Sequence, residues 1–134
     1  MADKNLETRL REIDWRQYSG PDLYAPDKLI ASMLALINLH DQNASNAVGD
    51  AILNTLGNNH RGVYYPAALA ALDLLINMAE AADQPARMRC ARSILNDLYY
   101  FEPELGYYDG CSDEELKRFV CTKLQPYSDA KFSL

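Results

Sequence analysis

The chain repeats itself. Pro26 and Pro66 stand 40 residues apart, and at that offset Leu29 matches Leu69, Ala31 matches Ala71 and Leu34 matches Leu74. Further on, Ile52-Leu53-Asn54-Thr55-Leu56 recurs as Ile94-Leu95-Asn96-Asp97-Leu98 at an offset of 42. Apolar residues recur at three and four along these stretches, with no sustained alternation at two, so the repeating unit is a pair of helices and no strand is expected. One such pair cannot cover its own apolar face, so successive pairs must stack side by side.

Breakers divide the chain into about six helices. The first covers Asp3 to about Trp15, with Leu6, Leu10 and Ile13 on one face. Pro26 opens the second, because proline lacks an N–H that would have no intrahelical partner in the first turn. Leu29, Ile30, Met33, Leu34 and Ile37 form its inward stripe. The third runs from about Ala44 to Leu56 and ends at Gly57, placed as a cap. Pro66 opens an alanine- and leucine-rich fourth helix, and Pro85 a fifth that runs to about Phe101. Ser112-x-x-Glu115 is a capping-box pattern in front of Leu116, Phe119, Val120 and Leu124, giving a sixth helix to about Gln125 and a tail beyond Pro126. A period of about 40 to 47 residues belongs to HEAT-type and armadillo-type units. The expected fold is all-α: a short α-solenoid with repeat units at about 26–56 and 66–98 and a last helix at about 112–125, in a single domain.

At 134 residues an apolar core suffices without disulfides or a structural metal. Thirteen Lys and Arg against nineteen Asp and Glu leave a net charge of −6, which disfavours a phosphate backbone as partner and favours a basic one. Cys90, Cys111 and Cys121 are odd in number and form no C-x-x-C pair, as expected in a reducing compartment. The first residues are polar, with no apolar run behind them, and no stretch approaches the ~20 apolar residues of a membrane span. The expected location is cytoplasmic, with no membrane partner.

Asn59-His60-Arg61-Gly62-Val63-Tyr64-Tyr65-Pro66-Ala67-Ala68, running into Leu72, Leu74, Leu75 and Ile76, resembles the turn and following helix of small bacterial HEAT-like proteins. In these a His-x-Gly-x-x-Tyr stretch precedes an alanine-rich helix. The resemblance spans Pro26 to Phe101, and Pro66 and Asp73 depart from the pattern. Many such proteins resemble immunity proteins of contact-dependent inhibition and other polymorphic toxin systems. The resemblance therefore implies a protein that binds a cognate toxin and covers its active or substrate-binding face. A basic nuclease suits an acidic inhibitor, whose charge mimics nucleic acid. The alternative is a HEAT-like scaffold or adaptor that holds a peptide or protein subunit.

The residues point to binding rather than catalysis. Neither His40 nor His60 sits in a spacing that sets two ligands on one helix face, and no nucleophile elbow or phosphate-binding loop is present, so no catalytic residue, metal or cofactor is expected. His60 is expected to hydrogen-bond within its turn, and Arg92 to pair with Asp50, its counterpart one repeat back. Glu102, Glu104, Asp109, Asp113, Glu114 and Glu115 form an acidic run around Tyr107 and Tyr108, with Tyr64 and Tyr65 at the equivalent edge of the previous hairpin. Tyrosines supply contact area at small entropic cost, and acids steer a basic partner. The expected partner surface is Tyr64, Tyr65, Glu102, Glu104, Tyr107, Tyr108, Asp109, Asp113 and Glu114. A concave face around Asp50, Asn54, Arg92 and Asn96 is the alternative.

Overall fold

The expected helices form with their boundaries shifted by a few residues at most. A computed structural model describes residues 2–18, 24–104, 107 and 112–129. Its helices are α1 (Ala2–Glu12), α2 (Pro26–Ile37), α3 (Ser45–Leu56), α4 (Ala67–Ala79), α5 (Pro85–Tyr100) and α6 (Asp113–Leu124). The fold is all-α apart from three two-residue strands described below. Pro26 and Pro85 occupy first helical turns, and the Ser112 hydroxyl caps α6 by accepting from the Glu115 amide at 3.2 Å.

The helices form two hairpins, α2 with α3 and α4 with α5, and α3 lies along α5. Leu29, Met33, Leu36, Ile52, Leu56, Leu72, Leu75, Ile94, Leu95 and Leu98 belong to one continuous core. At one end the turn before α3 meets the turn before α5 through a hydrogen bond between His40 and Gln84 at 3.2 Å. On the other side of the hairpins α1 lies against both α2 and α4, and those two approach each other less closely than α3 and α5 do. Leu6 and Leu10 carry that contact, and Trp15 folds back beneath α1, donating its indole N–H to the Leu10 carbonyl at 3.0 Å. Lying against α1 also selects the buried face of α2: Leu36 is fully buried, whereas Leu34, expected inward, is half-buried.

Leu95 and Leu53 sit between the hairpins and are buried. Leu95→Ala is expected to destabilise the fold by about 2–5 kcal/mol, the cost of lost burial plus the cavity left behind. Urea unfolding checks it, and a loss below about 0.5 kcal/mol would place the side chain outside a packed core.

The expectation of no strands needs correction. β1 (Gly57–Asn58) pairs antiparallel with β2 (Val63–Tyr64), and β2 pairs parallel with β3 (Glu102–Pro103). Two-residue strands are too short to show a period of two, so only pairing reveals them. Tyr65 N–H bonds Leu56 O at 2.8 Å, and Glu102 N–H bonds Gly62 O at 2.9 Å, stitching the ends of α3 and α5 together. Gly62 has φ +67°, the left-handed conformation that favours glycine. Gly57 is not the left-handed cap expected of it: its backbone is extended, and its role is to let β2 pass close by.

The C-terminal residues also depart from expectation. A single 3-10 turn over Gln125–Tyr127 follows α6 and returns to α5, with the Asp129 amide on the Asn96 side chain at 2.8 Å and the Tyr127 hydroxyl donating to Glu80. Residues 125–129 are thus part of the packed structure, and 130–134 lie outside the described residues.

Candidate functional site

The edge formed by the small sheet and the start of α6 gathers some of the residues expected to bind a partner and buries others. Glu102, at the first position of β3, meets Asp113 and Glu114 of α6 around an open depression of about 330 Å³ that Lys117, Arg118 and Cys121 complete. Glu102 and Glu114 are exposed and Asp113 is half-buried. The three acids are brought together because β3 ends against α6, whose first turn carries its acids toward the positive end of the helix dipole.

Two cations temper this edge. The Lys117 ammonium donates to the carbonyls of Tyr99, at 2.8 Å, and Phe101, capping the C-terminus of α5, and stands 3.7 Å from Glu102. Arg118 is exposed beside the depression. Neither cation is among the residues expected at this surface from the sequence.

Glu104 is not available as expected. It accepts a bidentate pair from Arg61, at 2.8 and 3.3 Å, and is only 14% exposed against 59% for the arginine. That pair clamps the β1–β2 turn onto the segment after β3. Tyr64 and Tyr65 correct the reading further, being 1% and 4% exposed. The Tyr64 ring lies among Ala68, Leu69, Leu72, Leu98 and Val120, and Tyr65 meets Tyr24 edge to face. Burial pushes the hydroxyls of both above the usual tyrosine range. These two side chains pin the sheet to the helices and cannot meet a partner. Tyr107 is half-buried, and Tyr108 and Asp109 lie outside the described residues.

His60 is exposed at the tip of the turn, where its side chain has no hydrogen bond among the described residues, against the expectation that it would hold the turn. Asn58 does that work, accepting from the Arg61 amide at 3.1 Å. Arg92 does not pair with Asp50; it turns to the other side of α5 and donates to the Ala79 carbonyl at the end of α4 at 2.9 Å. Asn54 and Asn96 are likewise engaged, with the backbone amides of Asn59 and Asp129. Of the alternative concave set, Asp50 alone remains exposed with no bond to a neighbouring element among the described residues.

Asp50 instead faces Asp97 on α5. Partial burial, then the charges of Asp50 and Asp129, raise the Asp97 carboxyl above the ordinary aspartate range. A carboxyl with a raised folded-state value costs stability once ionised. Stability is therefore expected to rise as pH falls through the folded value of Asp97 toward about 3.8, its unfolded one. Asp97→Asn should flatten that part of the profile and raise the thermal midpoint at pH 7. An unchanged profile in the variant would show that Asp97 titrates as it does in the unfolded chain.

One large apolar side chain faces outward where the sequence placed it inward. Phe119 is 55% exposed, because α6 packs through Leu116, Val120 and Leu124 and position 119 falls off that face. Lys123 stands 5.7 Å from its ring centroid and pairs with Asp73 at 2.9 Å, which gives the single charged residue of α4 a partner.

No helix among the described residues is long and apolar enough to cross a membrane, and no group of three His, Cys, Asp or Glu among them is arranged to hold a metal ion. Comparison with family models, with curated proteins and with solved structures found no match.

Proposed function

We propose that this protein is an immunity protein, acting in the cytoplasm by binding and covering a basic toxin rather than by catalysis. The observation that carries the reading is the convergence of Glu102, Asp113 and Glu114 at one exposed edge of a chain whose net charge is −6. An acidic edge on an acidic body attracts a basic protein from a distance and aligns it before contact. A nuclease is the toxin class that this charge suits, since its substrate-binding face is built to receive phosphates. The turn Asn59 to Tyr65, which carries the resemblance to bacterial HEAT-like proteins, lies next to that edge, joined to it by the β2–β3 pairing and the Arg61–Glu104 pair. The binding edge in this reading is Glu102, Asp113 and Glu114, while the buried Tyr64 and Tyr65 hold the small sheet in place behind it.

The test begins with the product of the reading frame immediately upstream. Co-expression with this chain should abolish its toxicity, and the two purified proteins should form a stoichiometric complex. Replacing both Glu102 and Glu114 by Lys should slow association about tenfold or more at low ionic strength and flatten its salt dependence, with dissociation little changed. Stopped-flow association at two salt concentrations reads this directly. An association rate unchanged by the double reversal would remove the acidic edge from the interface.

A further inference from the structure

The last helix, α6, is packed through one stripe. Leu116, Val120 and Leu124 are buried on it, and it lies against α5, β3 and the turn over Gln125–Tyr127. Away from that stripe, Glu115, Arg118, Phe119, Thr122 and Lys123 surround an open depression of about 580 Å³. Phe119 is the middle one of the five and is 55% exposed. A helix that ends a stacked array normally presents a polar outer face, so a phenyl ring here calls for a cover.

The charges of α6 cancel in sum and are segregated in position. Asp113, Glu114 and Glu115 occupy the first turn, and Lys117, Arg118 and Lys123 follow, three against three on a chain whose net charge is −6. Glu115 stands four residues before Phe119 and Lys123 four residues after it, about one helical turn each way, so the three share one ridge. The Lys123 ammonium is held beside that ring, 5.7 Å from its centroid, by its 2.9 Å pair with Asp73 of α4. Turned end for end, this ridge is its own complement. With two copies antiparallel and Phe119 on Phe119, each Glu115 meets the other copy's Lys123, and the helix dipoles oppose one another. A parallel pair would instead set Glu115 on Glu115 and Lys123 on Lys123.

We infer that α6 docks on α6 of a second copy of this chain, antiparallel, about a two-fold axis at Phe119. Charge complementarity selects this occupant. A basic partner would be drawn to Glu115 and repelled by Arg118 and Lys123, and an acidic partner the reverse, whereas the reversed ridge satisfies both signs. Arg118, one residue from Phe119, is placed to lie over the other copy's ring as a cation–π contact. Five residues a side bury far less than the roughly 1,600 Å² of a standard stable interface, so the dimer is weak, with a Kd of about 10–100 µM. The contact shares only Arg118 with the depression at Glu102, and it goes beyond the proposed function without resting on it.

Sedimentation velocity of the full chain, alone and under reducing conditions, tests this from about 5 to 500 µM. The weight-average coefficient is expected to rise from monomer toward dimer across that range. Phe119→Ser and Glu115→Lys should each weaken association about tenfold or more, with thermal midpoints close to the parent's because both side chains are exposed. Lys123→Glu, made together with Asp73→Lys to keep the pair to α4, should likewise fail to self-associate. Mixed with Glu115→Lys it should form a heterodimer, because positions 115 and 123 are then opposite in sign across both contacts. A parent chain that stays monomeric to about 500 µM, or a dimer that Phe119→Ser leaves intact, would overturn the contact and leave the ring to another partner. A dimer that Glu115→Lys leaves intact, or a mixture that stays monomeric, would overturn the antiparallel register.

Discussion

Gly57→Ala is expected to destabilise the protein by about 3 kcal/mol or more, although its backbone is extended and any residue can adopt it. The reason is space: a Cβ at this position would lie 2.0 Å from Val63 O and 2.7 Å from Tyr64 Cα. Those are backbone atoms of the paired strand, and they can move only if β1 and β2 separate. Separation would also release Tyr65 N–H from Leu56 O and loosen the Tyr64 ring from its place under α6. Gly62→Ala should cost less, about 1–2 kcal/mol, the penalty of a left-handed backbone for a residue with a side chain. Its Cβ would meet only Phe101 Cδ1 at 3.8 Å, an ordinary contact. Denaturant unfolding of the two variants should therefore rank them opposite to what backbone dihedrals alone suggest. Equal losses, or a larger loss at Gly62, would show that the strand crossing relaxes freely.

Arg87→Ala carries the second large expected effect, about 3 kcal/mol or more. Arg87 is completely buried near the start of α5, and its Nη1 donates to the carbonyl of Ile37, the last residue of α2, at 3.3 Å. Truncation empties a long volume between the two hairpins and leaves the end of α2 without that donor. Arg87→Met restores most of the apolar stem but not the donor, so it should recover part of the loss. The recovered fraction separates packing from hydrogen bonding, which a thermal or urea series on the three proteins measures. A loss below about 1 kcal/mol in Arg87→Ala would mean that the guanidinium is no better placed here than in water.

The acidic edge was legible in part. Glu102, Asp113 and Glu114 stand out in the sequence because acids crowd there, and the structure sets them around one depression. Glu104 belongs to the same run, yet an arginine 43 residues earlier claims it, and no local pattern links the two. Tyr64 and Tyr65 look like contact residues for the same reason that they serve as core residues: each has a broad ring with one polar tip. Whether the ring faces a partner or a helix depends on where α6 and Tyr24 lie. The contact of α3 with α5 left a faint signal in the 42-residue offset that aligns the two helices. Which side chains meet across it was hidden, because Asp50 faces Asp97 rather than its counterpart Arg92.

The sequence by itself determined the helices, since spacing at three and four, prolines in first turns and the Ser112 cap act within a few residues of one another. It also determined the left-handed turn at Gly62, the only described residue with positive φ. Only the tertiary structure decided the three short strands, the Arg61–Glu104 clamp, the burial of Arg87 and the outward turn of Phe119. Each of these is a relation between segments distant along the chain or a consequence of which helix face finds a neighbour. α1 lies on α2 and α4, and α6 lies on α5 through one stripe. A helix pattern states which residues share a face, but the partner packed against that face fixes how much of it is covered.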